Sequence, residues 1–158
     1  MSLLIELQNP EQFTDLPSEE DFTRWACAAW LDENDAGVVI RVVGEEESQQ
    51  LNLQFRGKDY PTNVLSFPYE LPDIELPELK EDSDIDYLGD LVICQPVVVR
   101  EAKEQVKPVA HHWAHLVVHG LLHLQGYDHI DDTEAELMEL REIAILRDFD
   151  IPNPYEAD

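Results

Sequence analysis

The chain reads as a single α+β domain, a small mixed β-sheet packed with helices around one central buried helix. Three observations predict this. At 158 residues, 44% of them hydrophobic, the chain can bury one sizeable core and is short for two. Short β-branched runs are interleaved with longer amphipathic stretches, the pattern of mixed layers. Residues 108–125 contain no Asp, Glu, Lys or Arg, so a helix there is apolar on most faces and belongs in the interior.

Residues 3–8, LLIELQ, read as the first strand. Ser18-Glu19-Glu20-Asp21 opens a helix, because serine can cap it and the acids suit its positive end. Its inner side carries Phe22, Trp25, Ala26, Ala29 and Trp30. Gly37 leads into VVIRVV, a β-branched run that predicts a strand. Residues 45–55 hold Leu51 and Phe55 at i, i+4 and predict a helix, and NVLSF at 63–67 predicts a third strand. Residues 70–86 contain eight acids, Pro72, Pro77 and one lysine, and read as an exposed acidic loop. LGDLVICQ at 88–95 is the next strand. Pro96 suits the first turn of the helix after it, which carries Arg100, Lys103 and Lys107 at helical spacing. The apolar helix follows, with Val109, Trp113, Val117, Leu121 and Leu124 along one side, widened by Leu116, Val118 and Leu122. Gly126 is placed to end it in a left-handed cap. Asp131-Asp132-Thr133-Glu134 starts a last helix, with Leu137, Leu140, Ile143, Ala144 and Leu146 expected on its inner face. Pro152 and Pro154 mark a frayed tail over 149–158, within one domain spanning 1–158.

The net charge of −25 predicts poor non-specific affinity for nucleic acid, since phosphates are repelled. A nucleic-acid substrate therefore needs a local basic site or a partner that delivers it. No stretch is apolar and long enough to cross a membrane. The N-terminus has no basic region and carries Glu6 in its apolar run, unlike a signal peptide. Cys27 and Cys94 lie far apart and read as two reduced, buried thiols in a cytoplasmic protein.

Residues 119–129 read HGLLHLQGYDH. Residues four apart on a helix point the same way, so His119 and His123 project side by side and can bind one ion through imidazole nitrogen at about 2.0–2.1 Å. Gly126 lets the chain turn back so that His129 can join them. Three neutral ligands leave zinc one open position, which is a catalytic rather than a structural arrangement. One histidine on a buried helix is usually a hydrogen-bonded core residue, but three in this frame with glycine at the turn are far more specific. Imidazole also suits nickel and other divalent ions. His111, His112 and His115 precede the motif. His115, one turn before His119, suits an outer contact, the same cleft or an ordinary core position, and none of the three is assigned to the metal.

The spacing is that of the zinc protease frame H-E-x-x-H-x-x-G-x-x-H, except that Gly120 replaces the glutamate. That glutamate is the general base and later the acid for an amine leaving group. Glycine can do neither, so peptide hydrolysis is disfavoured unless Asp90, Asp128 or His115 supplies the base. A phosphodiester passes through an anionic transition state, where a positive clamp supplies much of the stabilisation. FRGKDYPTNVLSF at 55–67 offers one: Arg56 and Lys58 flank a glycine, and Thr62, Asn63 and Ser66 add short polar side chains. Lys58, Asn63 and Ser66 are candidates for substrate binding.

RGKDYPTNVLSFP at 56–68, LGDLVI at 88–93 and WAHLVVHGLLHLQGYDH at 113–129 together resemble the YbeY family of bacterial rRNA maturation factors. Order and spacing agree over roughly residues 40–148. The resemblance implies a metal-dependent, single-strand-specific endoribonuclease in ribosomal RNA processing, including the 3′ end of 16S rRNA, and in ribosome quality control. It implies zinc on His119, His123 and His129, and Arg56 as the catalytic arginine against the scissile phosphate. The partners would be single-stranded RNA and the small ribosomal subunit with its basic proteins. A positive cleft of Arg56, Lys58 and the metal, extended by Arg100, Lys103 and Lys107, would reconcile this with the acidic charge. The competing readings are a protease or amidase, and a ribosome assembly factor with a structural zinc.

Overall fold

Among the described residues, four strands form one mixed sheet in the order β1-β2-β4-β3. The strands are β1 (Leu3–Gln8), β2 (Ala36–Val43), β3 (Val64–Pro68) and β4 (Asp86–Cys94). The helices are α1 (Glu19–Ala29), α2 (Glu45–Arg56), α3 (Gln95–Glu104), α4 (Val109–Leu124) and α5 (Asp132–Arg147). This computed structural model describes residues 3–14, 16–31, 36–68, 86–125 and 132–154. The acidic segment up to residue 85, Gly126, Asp128 and His129 therefore lie outside the described residues.

β1 pairs parallel with β2, β2 parallel with β4, and β3 antiparallel with β4. Alternation along the strands divides the interior into two layers. Val38, Ile40 and Val42 of β2, with Leu91 and Ile93 of β4, face the main core. Val43, Leu65, Val92 and Cys94 face the other side, where Val97, Leu51 and Phe67 cover them. The main core is closed by α1, α4 and α5, and the smaller one by α2 and the start of α3.

Ser18 caps α1 as expected, its Oγ accepting from Asp21 N at 3.1 Å. Phe22 of α1 meets Trp113 of α4 edge to face at 5.5 Å, both fully buried. Gln125 ties the same two helices at their ends. Its Nε2 donates to Ala29 O at 2.7 Å and its Oε1 accepts from Leu31 N at 3.0 Å. The charge-free helix is thus fixed along its length against α1 and the sheet.

Three expectations need correction. Leu146 is buried as expected, but Leu137 and Leu140 are 54% and 55% exposed, Ala144 is exposed too, and α5 instead buries Met138, Glu142 and Ile145. The helix expected over 45–55 forms; in it Leu51 faces inward, Phe55 is exposed, and the fully enclosed side chains are Ser48 and Asn52. Cys94 is a buried free thiol, but Cys27 is exposed. The third concerns the tail expected over 149–158: Ile151 sits in the main core and its N donates to Leu146 O at 3.0 Å.

Candidate metal centre

The exposed end of α4's polar stripe carries His115, His119 and His123, each half-buried. The Nε2 atoms of His119 and His123 face each other at 3.1 Å, with the ring planes at 78°. Two nitrogens bound to one tetrahedral ion at about 2.0–2.1 Å would lie roughly 3.3 Å apart. The pair therefore stands close to one edge of such a tetrahedron. The other nitrogen of His119, Nδ1, is hydrogen-bonded to Glu142 Oε1.

Glu142 is fully buried, and His115 Nε2 lies 3.7 Å from the same carboxylate oxygen. Ligand atoms of His115, His119 and Glu142 all lie within 4.8 Å of one another, a donor set that could hold a metal ion. Burial pushes the His115 pKa below its ordinary value, outweighing the pull of Glu142, so His115 is neutral near pH 7. Imidazole nitrogens converging beside a carboxylate fit a borderline divalent ion such as zinc.

Sequence reasoning missed Glu142. It was hidden among the solvent-facing acids of α5 because the exposed leucines drew the inner face to the wrong side. Taken along Met138, Ile145 and Leu146, the same helix shows one acid in an apolar stripe, and a buried carboxylate needs a partner.

Gly120 is a packing residue as well as a missing base. A Cβ there would stand 2.6 Å from Cδ2 and 3.1 Å from Cδ1 of Leu91, a fully buried side chain of β4. The helix can lie this close to the sheet only without a side chain at that position. A glutamate would collide with the core before it could reach the metal.

Arg56 ends α2, and Gly57 caps it in the left-handed conformation with φ 71°. The loop that follows is pinned from below. Ser48 Oγ donates to Thr62 O and accepts from Thr62 N, both at 2.9 Å, and Asn52 Nδ2 donates to Tyr60 O at 2.8 Å. Arg56 and Lys58 are exposed and, among the described residues, have no ion-pair partner. Arg24, Arg41 and Arg100, by contrast, are bound to Asp21, Glu47 and Glu45. Phe55 and Tyr60, on either side of the two cations, are 57% and 52% exposed.

The other sequence candidates sit in different surroundings. Asn63 donates to Glu101 Oε1 at 3.0 Å while its Oδ1 accepts from Val64 N at 2.6 Å, so both ends of the amide are engaged. Ser66 is half-buried in β3 opposite Leu91, and Asp90 is half-buried in β4 opposite Phe67. His112 is buried at the far end of the stripe and its Nε2 bonds Glu101 at 2.8 Å. Lys107 is half-buried, and burial lowers its pKa from the usual lysine value.

Fold and site thus define a one-domain α+β protein with a metal-competent histidine cluster on its central helix. The sequence profile of the family described as Endoribonuclease YbeY matches residues 8–150. The protein called Endoribonuclease YbeY from Methylococcus capsulatus is 59% identical over 140 residues, covering 89% of this chain and 87% of that one. The solution structure of TM1509 from Thermotoga maritima is similar with a TM-score of 0.58 at 27% identity, covering 91% of this chain and 87% of that one. The chain belongs to the Endoribonuclease YbeY family.

Proposed function

We propose that this chain is a zinc-dependent endoribonuclease that cuts single-stranded RNA, with His119, His123 and His129 as metal ligands and Arg56 on the scissile phosphate. The observation that carries the reading is the pair of Nε2 atoms facing each other at 3.1 Å on the central helix of a chain from an endoribonuclease family. His129 enters through the HGxxHxxGxxH spacing alone. Nickel is a chemically acceptable substitute for zinc. Residues 1–158 act together as one metal-dependent hydrolase domain.

A bound divalent ion would supply Lewis-acid stabilisation of charge developing on a phosphoryl oxygen. The side chains of Arg56 and Lys58 are available for the phosphate, and a guanidinium can hold two of its oxygens at once. Gly120 provides no base at the protease position, which weighs against amide hydrolysis. Exposed Phe55 and Tyr60 offer ring faces beside those cations, and bases can stack on such faces only when unpaired. This favours single strands over duplex.

Ribosomal RNA, including the 3′ end of 16S rRNA, is the substrate that the sequence resemblance implies, with ribosome quality control as the setting. The charge of −25 supports basic proteins of the small ribosomal subunit as the partners that bring substrate and enzyme together in the cytoplasm. The test is cleavage of a labelled single-stranded RNA and its duplex by zinc-loaded wild type, His123→Ala and Arg56→Ala, purified identically. Cutting of the single strand by wild type alone is expected. Equal cutting by all three proteins, or by none, would move the weight to an assembly factor with a structural zinc.

A further inference from the structure

The inner face of α5 is apolar at Met138, Ile145 and Leu146, and a leucine at 142 would continue that face. The chain places a fully buried carboxylate there instead. We propose that Glu142 is a positioning residue for the metal site: by accepting Nδ1–H of His119, it fixes the imidazole whose Nε2 faces Nε2 of His123. The proposal rests on reading His119 and His123 as ligands.

A neutral imidazole carries one N–H, and the hydrogen bond made by one nitrogen decides which form is present. With the proton on Nδ1 and held by Glu142, the Nε2 lone pair of His119 is directed to the side where His123 stands. The same bond stops the ring from turning about its χ2 torsion. His115 lies too far from that oxygen, at 3.7 Å, to compete for a strong hydrogen bond. The shorter contact from this oxygen is thus the one to His119. Two helices that meet at the centre divide the work: α4 brings the ligands and α5 orients one of them.

The experiment measures zinc affinity by competition with a chromophoric chelator for wild type, Glu142→Leu, Glu142→Gln and His123→Ala. Thermal unfolding of each metal-free protein and the visible spectrum of each cobalt-loaded protein accompany it. Glu142→Leu is expected to stay folded without metal, because an apolar side chain suits that face, although Nδ1–H of His119 loses its acceptor. Its zinc affinity is expected to fall about 10–100-fold. Glu142→Gln, whose amide oxygen can still accept Nδ1–H, should fall between the two and keep the wild-type cobalt band shape. His123→Ala should bind most weakly. Wild-type affinity in Glu142→Leu would overturn the proposal. So would a Glu142→Gln protein as weak as His123→Ala with altered cobalt bands, since Glu142 would then be a ligand itself. Metal-free unfolding of both Glu142 variants would overturn it in favour of a purely structural role. If zinc affinities follow the expected order while no variant cuts RNA, the nuclease reading fails and the positioning role stands. Normal cleavage and zinc binding by Glu142→Leu would leave the nuclease reading standing and remove the positioning role.

Discussion

Gly120 occupies the position where a zinc protease of the same spacing keeps its glutamate, and the side chain it lacks would meet Leu91 at 2.6 Å. The departure from the protease frame is therefore built into the packing of α4 on β4. Gly120→Glu should destabilise the protein by at least about 3 kcal/mol in denaturant unfolding, through overpacking and a buried charge. It should gain no cleavage of a peptide library. A stable, peptide-cutting variant would contradict this account of the residue. Ser48 makes a second case at this scale. Its hydroxyl closes two hydrogen bonds at 2.9 Å to the backbone of Thr62. Ser48→Ala leaves a buried amide without its acceptor and should cost about 1–3 kcal/mol, measured by the same unfolding.

At the scale of elements, legibility followed burial chemistry. The strand VVIRVV and the charge-free histidine helix were readable because their apolar residues do face the core, as Val38, Ile40, Val42, Trp113 and Val117 show. The inner face of α5 was misread in part: Leu146 is buried as expected, but the helix hides Glu142 and exposes Leu137 and Leu140, so hydrophobic spacing alone turned the face too far. The juxtaposition of His119 and His123 was legible from i, i+4 spacing, whereas Glu142 comes from another helix and shows only as one acid in the stripe of Met138, Ile145 and Leu146. Glu101 shows how such polar contacts also join elements: on α3, it binds His112 of α4 at 2.8 Å and Asn63 ahead of β3 at 3.0 Å. Burial alone would raise its pKa, but the hydrogen bonds from His112 and Asn63 outweigh this and hold it below the usual carboxylate value of 4.5. A lowered folded-state pKa gives stability that is present above 4.5 and lost as pH falls through the folded value. The melting-temperature advantage of wild type over Glu101→Gln should therefore shrink as pH is lowered from about 5.5 towards 3.5. An advantage that grows on acidification would contradict the assigned direction.

For the whole molecule, the balance to explain is a net charge of −25 on a member of an endoribonuclease family. Arg41 and Arg100 are already paired with glutamates on α2, while Arg56 and Lys58 at its far end have no ion-pair partner among the described residues. A short cationic turn on an acidic body implies weak binding to naked RNA that depends steeply on salt. Fluorescence anisotropy with a labelled single strand should show affinity falling on the order of several-fold or more between 50 and 200 mM salt. Tight binding insensitive to salt would contradict the local-cleft account.

The most direct test of the central claim couples metal to cutting. The protein is stripped with a chelator, zinc is returned in steps, and cleavage of a single-stranded RNA is followed against zinc bound for wild type and His123→Ala. The account predicts that stripped wild type is silent, that cleavage rises with zinc to a plateau at about one ion per chain, and that His123→Ala stays silent throughout. Cleavage that survives stripping, or that His123→Ala retains at the wild-type rate, would place the activity outside this histidine site.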